Sequence, residues 1–164
     1  MSRLVSLAAT LALAATTALA GATAAEGSPP AGHAVVAKQS AAGKYARQAF
    51  AATNANRTHN GLRELKPSDC LKRFAVRQAK AMAQQEQIYH QDLGDLMREF
   101  KLNTAGENVA YGYRTGRSVV NDGWMNSEGH RANILNPSFR LMGIGARKGH
   151  DGRWYVSQVF GRRA

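Results

Sequence analysis

The sequence predicts an α+β fold, with helices packed on an antiparallel sheet, and three observations carry that expectation. Ala-rich and amphipathic stretches with helical spacing fill the first half of the region expected to fold. From Phe139 the pattern changes to period two, with Leu141, Gly143 and Gly145 alternating with Met142, Ile144 and Ala146. A Lys148-Gly149-His150-Asp151-Gly152 turn then leads into Trp154-Tyr155-Val156-Ser157-Gln158-Val159-Phe160, which predicts an antiparallel hairpin.

The chain has 164 residues, 44% hydrophobic and 20% charged, the profile of one globular domain with something added. The addition is at the front. Arg3 precedes an apolar, acid-free run from Leu4 to Leu19, followed by the small-x-small triplets Ala18-Leu19-Ala20 and Ala22-Thr23-Ala24. This pattern predicts a secretory signal peptide over residues 1–25, cleaved after Ala20, Ala24 or Ala25, and hence an extracellular protein. A membrane span is disfavoured, because the run is short, rich in Ala and Thr, and followed by polar chain. Residues 26–44, rich in Gly, Pro, Ala and Ser at their start, read as a flexible linker. The folded domain is then expected over 45–164, long enough for one hydrophobic core.

Tyr45 to Asn60 has no Gly or Pro until Gly61 and predicts the first helix, with Asn54 and Arg57 on one face near its end. Leu62 and Leu65 anchor a turn to Pro67. Ser68 is the expected N-cap of a second helix to about Gln85. Its Leu71, Ala75, Gln78, Ala79 and Met82 gather on the inner side with Phe74 at its margin, while Arg73, Arg77 and Lys80 line the outer one. Asp92 caps a short third helix to Phe100, which leaves His90 at the junction between elements. Gly106 to Gly112 reads as a strand, and Ser118 as the cap of a helix that turns Val119, Val120, Gly123 and Trp124 inward. Trp124 opens the densest chemistry in the chain, Trp-Met-Asn-Ser-Glu-Gly-His-Arg-Ala-Asn-Ile-Leu-Asn, which Pro137 closes. There Gly129 is expected to admit a close backbone approach.

Cys70 is the single cysteine, so no intrachain disulfide forms; its place in an amphipathic helix predicts a buried, inert thiol. The formal charge is +11, and a leader carrying one basic and no acidic residue leaves +10. Outside a cell such a charge points to anionic wall polymers, lipid headgroups or acidic polysaccharides as partners, with attraction that weakens in salt. The bland alternative is a solvated surface. Sequence-specific nucleic-acid binding is not expected, since no basic run interleaves with aromatics and no zinc-finger or helix-turn-helix pattern occurs. A monomer is expected.

Of the five histidines, His33 and His150 fall in the presumed linker and a turn, and His59 near a helix end where positive charge is favourable. His90 and His130 remain. Glu107 is an acid inside an apolar strand, a costly placement without a partner. Two imidazoles and a carboxylate suffice for an open zinc site, although no His-Glu-x-x-His spacing occurs. A self-satisfied polar cluster is the alternative.

Asn54-x-x-Arg57, Ile88-Tyr89-His90, Gly106-Glu107-Asn108-Val109-Ala110, Trp124 to Leu135, Met142-Gly143-Ile144-Gly145 and the final Tyr155 with Gln158-Val159-Phe160-Gly161 together resemble the CAP superfamily (cysteine-rich secretory proteins, antigen 5 and pathogenesis-related proteins), in its bacterial secreted branch. The resemblance runs from about Phe50 to Gly161. It implies a three-layer α-β-α sandwich with a surface cavity lined by two histidines and acidic residues, able in some relatives to hold a divalent cation such as Zn²⁺. His90, Glu107 and His130 map onto that cavity and are the metal-ligand candidates. The family's second acid, three positions after the tryptophan, is Ser127 here, which departs from the pattern but shares a helical side with His130. Glu128 and Asn108 are secondary candidates, and Glu128 suits a helix N-terminus better. The family is disulfide-rich in animals and plants, and its sterol and lipid binding uses regions that do not map onto this chain. The function implied is a secreted, non-catalytic binding module whose cavity holds a divalent metal and whose basic surface meets anionic envelope components. The alternative is a metal-assisted hydrolase acting outside the cell.

Overall fold

The computed structural model describes residues 40–164, so the expected signal peptide, most of the linker and His33 lie outside the described residues. Helix α1 (Ala41–His59) begins earlier than the composition suggested, because Ser40 adopts extended backbone and its hydroxyl accepts from the Gly43 N–H. Residues 41–44 are therefore helix instead of linker. Strand β1 (Lys66–Pro67) precedes α2 (Asp69–Gln85), whose N-cap is Ser68 as expected, with Oγ accepting from the Leu71 N–H. Asp92 likewise caps α3 (Leu93–Phe100). Then come β2 (Leu102–Tyr111), α4 (Gly116–Ser118), a π-helical turn (Val119–Gly123), a 3₁₀ turn (Trp124–Asn126), α5 (Glu128–Ile134), β3 (Leu141–Lys148) and β4 (Trp154–Arg163).

The cap of α4 is Thr115, not Ser118: the two form a capping box in which each side chain serves the other's backbone N–H. Strand β2 starts at Leu102 because Leu102 pairs with Arg163, ahead of the glycine-bounded segment. The sheet order is β1-β3-β4-β2. Both β3–β4 and β4–β2 are antiparallel, as the period-two pattern predicts, and only the two-residue β1 pairs in parallel with β3. Pro67 has no N–H to give, which suits so short an edge strand.

Alternation along β4 separates the layers. Val156 and Phe160 join Met142, Ile144 and Ala146 of β3 in a core with Tyr45, Ala49 and Ala52 of α1, Trp124, and Ile134 of α5. Val159 faces the opposite way into a second cluster with Leu71, Phe74 and Ala75 of α2 and Leu96 of α3. The result is helices on both faces of one sheet, the α-β-α sandwich the resemblance implies. Cys70 departs from expectation: it is only half-buried, and the guanidinium of Arg73 lies 3.6 Å from its sulfur.

The Asn54/Arg57 pair fastens the end of α1 to two loops. Asn54 exchanges hydrogen bonds of 3.1 and 3.0 Å with the backbone of Leu65. Arg57 is fully buried and donates to the carbonyls of Arg63 (3.0 Å), Ile134 (2.6 Å) and Asn136 (2.9 Å). Its cation thus sits where α1 and α5 both end, the pole of a helix that favours positive charge. Burial, and then the charge of Arg140, pull its pKa below the ordinary arginine value. Arg57→Lys keeps the charge but lacks the fork that reaches three carbonyls at once. A loss of about 2 kcal/mol, about 8 °C in Tm, is expected in thermal unfolding; a Tm within 2 °C of the parent would show that the fork does not matter.

Candidate functional site

The π-helical turn carries Val119 and Val120 inward and delivers Trp124 to the core, where it is 1% exposed and its Nε1 donates to the Val109 carbonyl at 3.3 Å. That seats the start of α5. Asn108, on β2 beside Glu107, is fully buried and donates to the His130 carbonyl at 3.1 Å while accepting from Asn133 at 2.9 Å. Asn133 also donates to the Glu107 carbonyl at 3.2 Å. The amides thereby tie the His130 turn to the strand that bears the carboxylate. Asn108, a secondary candidate in the sequence, is thus fully buried and supports the His130 turn from within.

Glu107 projects from the other face of β2 and is 5% exposed. Four donors converge on it. Its Oε2 meets His90 Nδ1 at 3.0 Å and the Gln91 backbone N–H at 3.2 Å; its Oε1 accepts from Gln91 Nε2 at 2.6 Å and Ser157 Oγ at 2.8 Å. A carboxylate offers about four lone-pair positions, so each is engaged, and the burial cost is met by hydrogen bonds. Against acceptor oxygens the His90 Nδ1 takes the donor role. That leaves Nε2 available on a side chain that is 60% exposed. The loop carrying His90 is held to α2 by Gln78, whose Nε2 donates to the Tyr89 carbonyl at 2.5 Å.

His130 lies in the first turn of α5 and is half-buried. Burial, and then the nearby His90, hold its imidazole below the ordinary histidine pKa, so folding favours the neutral ring. His90 and His130 are thus electrostatic neighbours. The three-ligand set of His90, Glu107 and His130 is not assembled as such: among the described residues, no group of three or more His, Cys, Asp or Glu is arranged to hold a metal ion. The oxygens of Glu107 are instead committed to His90, Gln91 and Ser157.

Ser127 is the N-cap of α5, with extended backbone (φ −117°, ψ 122°) and no side-chain capping bond. Ser127 and His130 are thus N-cap and N3, the positions of Thr115 and Ser118 in α4, but without the capping bond that joins those two. Glu128 is the first residue of α5 and exposed, in the place that favours a negative charge at a helix N-terminus. A Cβ on Gly129 would meet nothing within 4 Å, so no close backbone approach requires this glycine. Gln91 and Ser157 were not anticipated. Glu107 faces Val159 in register, and Ser157, two residues along the same face of β4, is its diagonal neighbour. A small hydroxyl on an otherwise apolar strand face was the available signal.

Residues 50–160 match the family model described as the cysteine-rich secretory protein family, CAP. The chain is 38% identical over 113 residues to the uncharacterized protein YkwD of Bacillus subtilis, covering 65% of this chain and 44% of that protein. It is 32% identical over 124 residues to the uncharacterized membrane protein YlbC of the same organism, covering 71% of this chain and 34% of that protein. The chain therefore spans less than half the length of either relative. Among solved structures, an extracellular protein containing an SCP domain from Bacillus anthracis superposes with a TM-score of 0.65 at 30% identity, over 74% of this chain and 41% of that one. A cysteine-rich secretory protein from Staphylococcus aureus shares the fold at 22% identity, with a TM-score of 0.64 over 75% of this chain and 40% of that one. No helix among the described residues is long and apolar enough to cross a membrane. This chain belongs to the CAP family of cysteine-rich secretory proteins.

Proposed function

We propose that the protein is an exported, non-catalytic binding module whose His90/His130 cavity takes a divalent cation and whose basic surface meets anionic envelope material. The observation that supports the cavity reading most is the four-donor carboxylate of Glu107 bonded to His90 Nδ1. A histidine that donates one ring nitrogen to a carboxylate presents the other as an oriented ligand, the usual outer-shell arrangement of metal-binding imidazoles. His90 Nε2 and a neutral His130 would then hold the ion, which when bound acts as a Lewis acid toward an oxygen or nitrogen ligand. Glu107 orients and does not ligate. With that carboxylate fully engaged by donors, the geometry favours binding over hydrolysis, since a hydrolase would need a free base near the ion. Extracellular placement is supported by the B. anthracis relative, itself extracellular, and by the leader-like pattern of residues 1–25.

Calorimetric titration of Zn²⁺ into the full chain, His90→Ala and His130→Ala is the test. One ion per chain is expected in the parent, with affinity falling at least tenfold in each variant. No heat from the parent, or unchanged affinity in both variants, would overturn the cation reading.

A further inference from the structure

Three grooves away from His90 and His130 share lining residues end to end. The first, of about 690 Å³, runs along the outer side of α1 and is lined by Lys44, Arg47 and His59 with Arg117 from α4. The second, also about 690 Å³, lies where α1, β1, α2 and β3 meet at the edge of the sheet. It shares Arg47 with the first, and Ala46, Phe50 and Pro67 contribute apolar lining. The third, about 410 Å³, follows the exposed face of α2 past Arg73, Arg77 and Lys80, and shares Lys72 with the second. Among the described residues, Asp69 is the one acidic residue lining any of the three.

We propose that these grooves form one continuous cationic belt, from Arg117 and Lys44 through Arg47 and Lys72 to Arg77 and Lys80, that binds a flexible linear polyanion. The inference rests on the anionic-surface part of the function proposed above and adds a location and a ligand shape to it. The charges are exposed and follow a path. On α2 alone, Lys72, Arg73, Arg77 and Lys80 are spread over about 12 Å of helical rise, with successive cations no more than about 6 Å apart along the axis, inside the screening length of about 8 Å at physiological salt. Neighbouring cations along it act together on a ligand carrying repeated negative charge. Arg77 is additionally seated over the Phe74 ring, 4.1 Å from its centroid, which fixes one cation of the row.

Shape selects the class of ligand. Because α1 and α2 cover opposite faces of the sheet, the belt turns around the β1 edge. A flat membrane surface would engage one end of it at a time, whereas a flexible chain can follow the turn. The apolar lining of the middle groove suits the uncharged carbon segments that separate anionic groups in an organic polymer of this kind. Phosphodiester and carboxylate polymers share this chemistry.

The test titrates the full chain with inorganic polyphosphate and with poly-L-glutamate, and in parallel with phosphatidylglycerol-containing vesicles. Arg47→Glu/Lys72→Glu breaks the belt at both shared points; Arg131→Glu/Arg162→Glu makes the same change of charge at exposed positions outside it. Arg47→Gln/Lys72→Gln is a milder break, and circular dichroism confirms folding. The parent should bind at least one polymer, the belt variant at least tenfold more weakly and the off-belt variant less than threefold more weakly. The slope of log affinity against log salt should fall by about 0.7 for each contact removed. Preference for polyphosphate or polyglutamate assigns the phosphate or the carboxylate source. Equal losses in both charge-reversal pairs would overturn the belt while leaving the anionic surface standing. Vesicle binding that exceeds polymer binding would overturn the linear ligand, and no binding to any anion would remove both.

Discussion

Gly143→Ala is expected to destabilise the domain by at least about 4 kcal/mol, beyond the usual range of about 1–3 kcal/mol for an overpacked core. A Cβ there would lie 2.1 Å from the Lys72 backbone nitrogen and 2.3 Å from the Leu71 carbonyl carbon. These are backbone atoms of α2, so no rotamer change relieves the clash, and the first turn of the helix must lift off β3. Gly145→Ala repeats the problem one turn later, at 2.3 Å from the Ala75 carbonyl carbon and oxygen. The two glycines make a flat face on β3 against which the α2 backbone lies directly. Displacing α2 also moves Gln78, and with it the Tyr89 carbonyl and the His90 loop. Against a typical domain stability of about 5–15 kcal/mol, such a loss leaves little folded margin. Gly129→Ala is the control, in a helix with open space around the new methyl, and should be neutral or stabilising by about 0.5–1 kcal/mol. Urea unfolding measures all three. A Gly143→Ala domain within 1 kcal/mol of the parent would mean that α2 does not rest on that glycine.

The same glycines show what was legible in the chain. Their alternation with Met142, Ile144 and Ala146 announced a strand, and Ser68 and Asp92 announced helix starts through hydroxyl and carboxylate capping. These are local signals, read from spacing and side-chain chemistry. What stayed hidden depends on pairing across the fold. The parallel contact of β1 with β3 involves two residues, too few to leave a pattern, and the start of β2 at Leu102 is set by its partner Arg163. Ser40 carries no distinct signal as a cap, because the Ala-rich composition after it resembles that of the chain before it. In the site, His90, Glu107 and His130 stood out as titratable groups, and the structure pairs His90 with Glu107 and leaves His130 as an electrostatic neighbour. The division of labour among them was not readable. It follows from Gln91 and Ser157, neutral residues whose only conspicuous property is where the sheet register and the α3 cap place them.

That division predicts the outcome of Glu107→Gln. The substitution keeps the shape but replaces one oxygen with an NH₂ donor, so on one side of the group two existing donors face a third. On one side the Gln91 N–H loses its acceptor and His90 Nδ1 must turn from donor to acceptor; on the other Gln91 Nε2 loses its acceptor and the Ser157 hydroxyl must rotate to accept. Leaving a buried donor unsatisfied costs about 1–3 kcal/mol, and the exposure of His90 together with relief from burying a charge offsets part of it, so a net loss of about 2 kcal/mol is expected in urea unfolding. The effect on the cation separates orientation from ligation. If Glu107 positions His90, the variant should weaken Zn²⁺ binding about 10–100-fold, and the His90 ring should no longer be fixed with its proton on Nδ1. Ring nitrogen shifts measured by NMR before metal is added report that proton directly, and a residue that merely stabilised the strand would leave them unchanged. Unchanged His90 shifts together with parent-like Zn²⁺ affinity would remove Glu107 from the site. A lost affinity with unchanged shifts would make it a direct ligand, and the four donors around its oxygens argue for the first outcome, since an ion could reach them only by displacing a hydrogen bond already made.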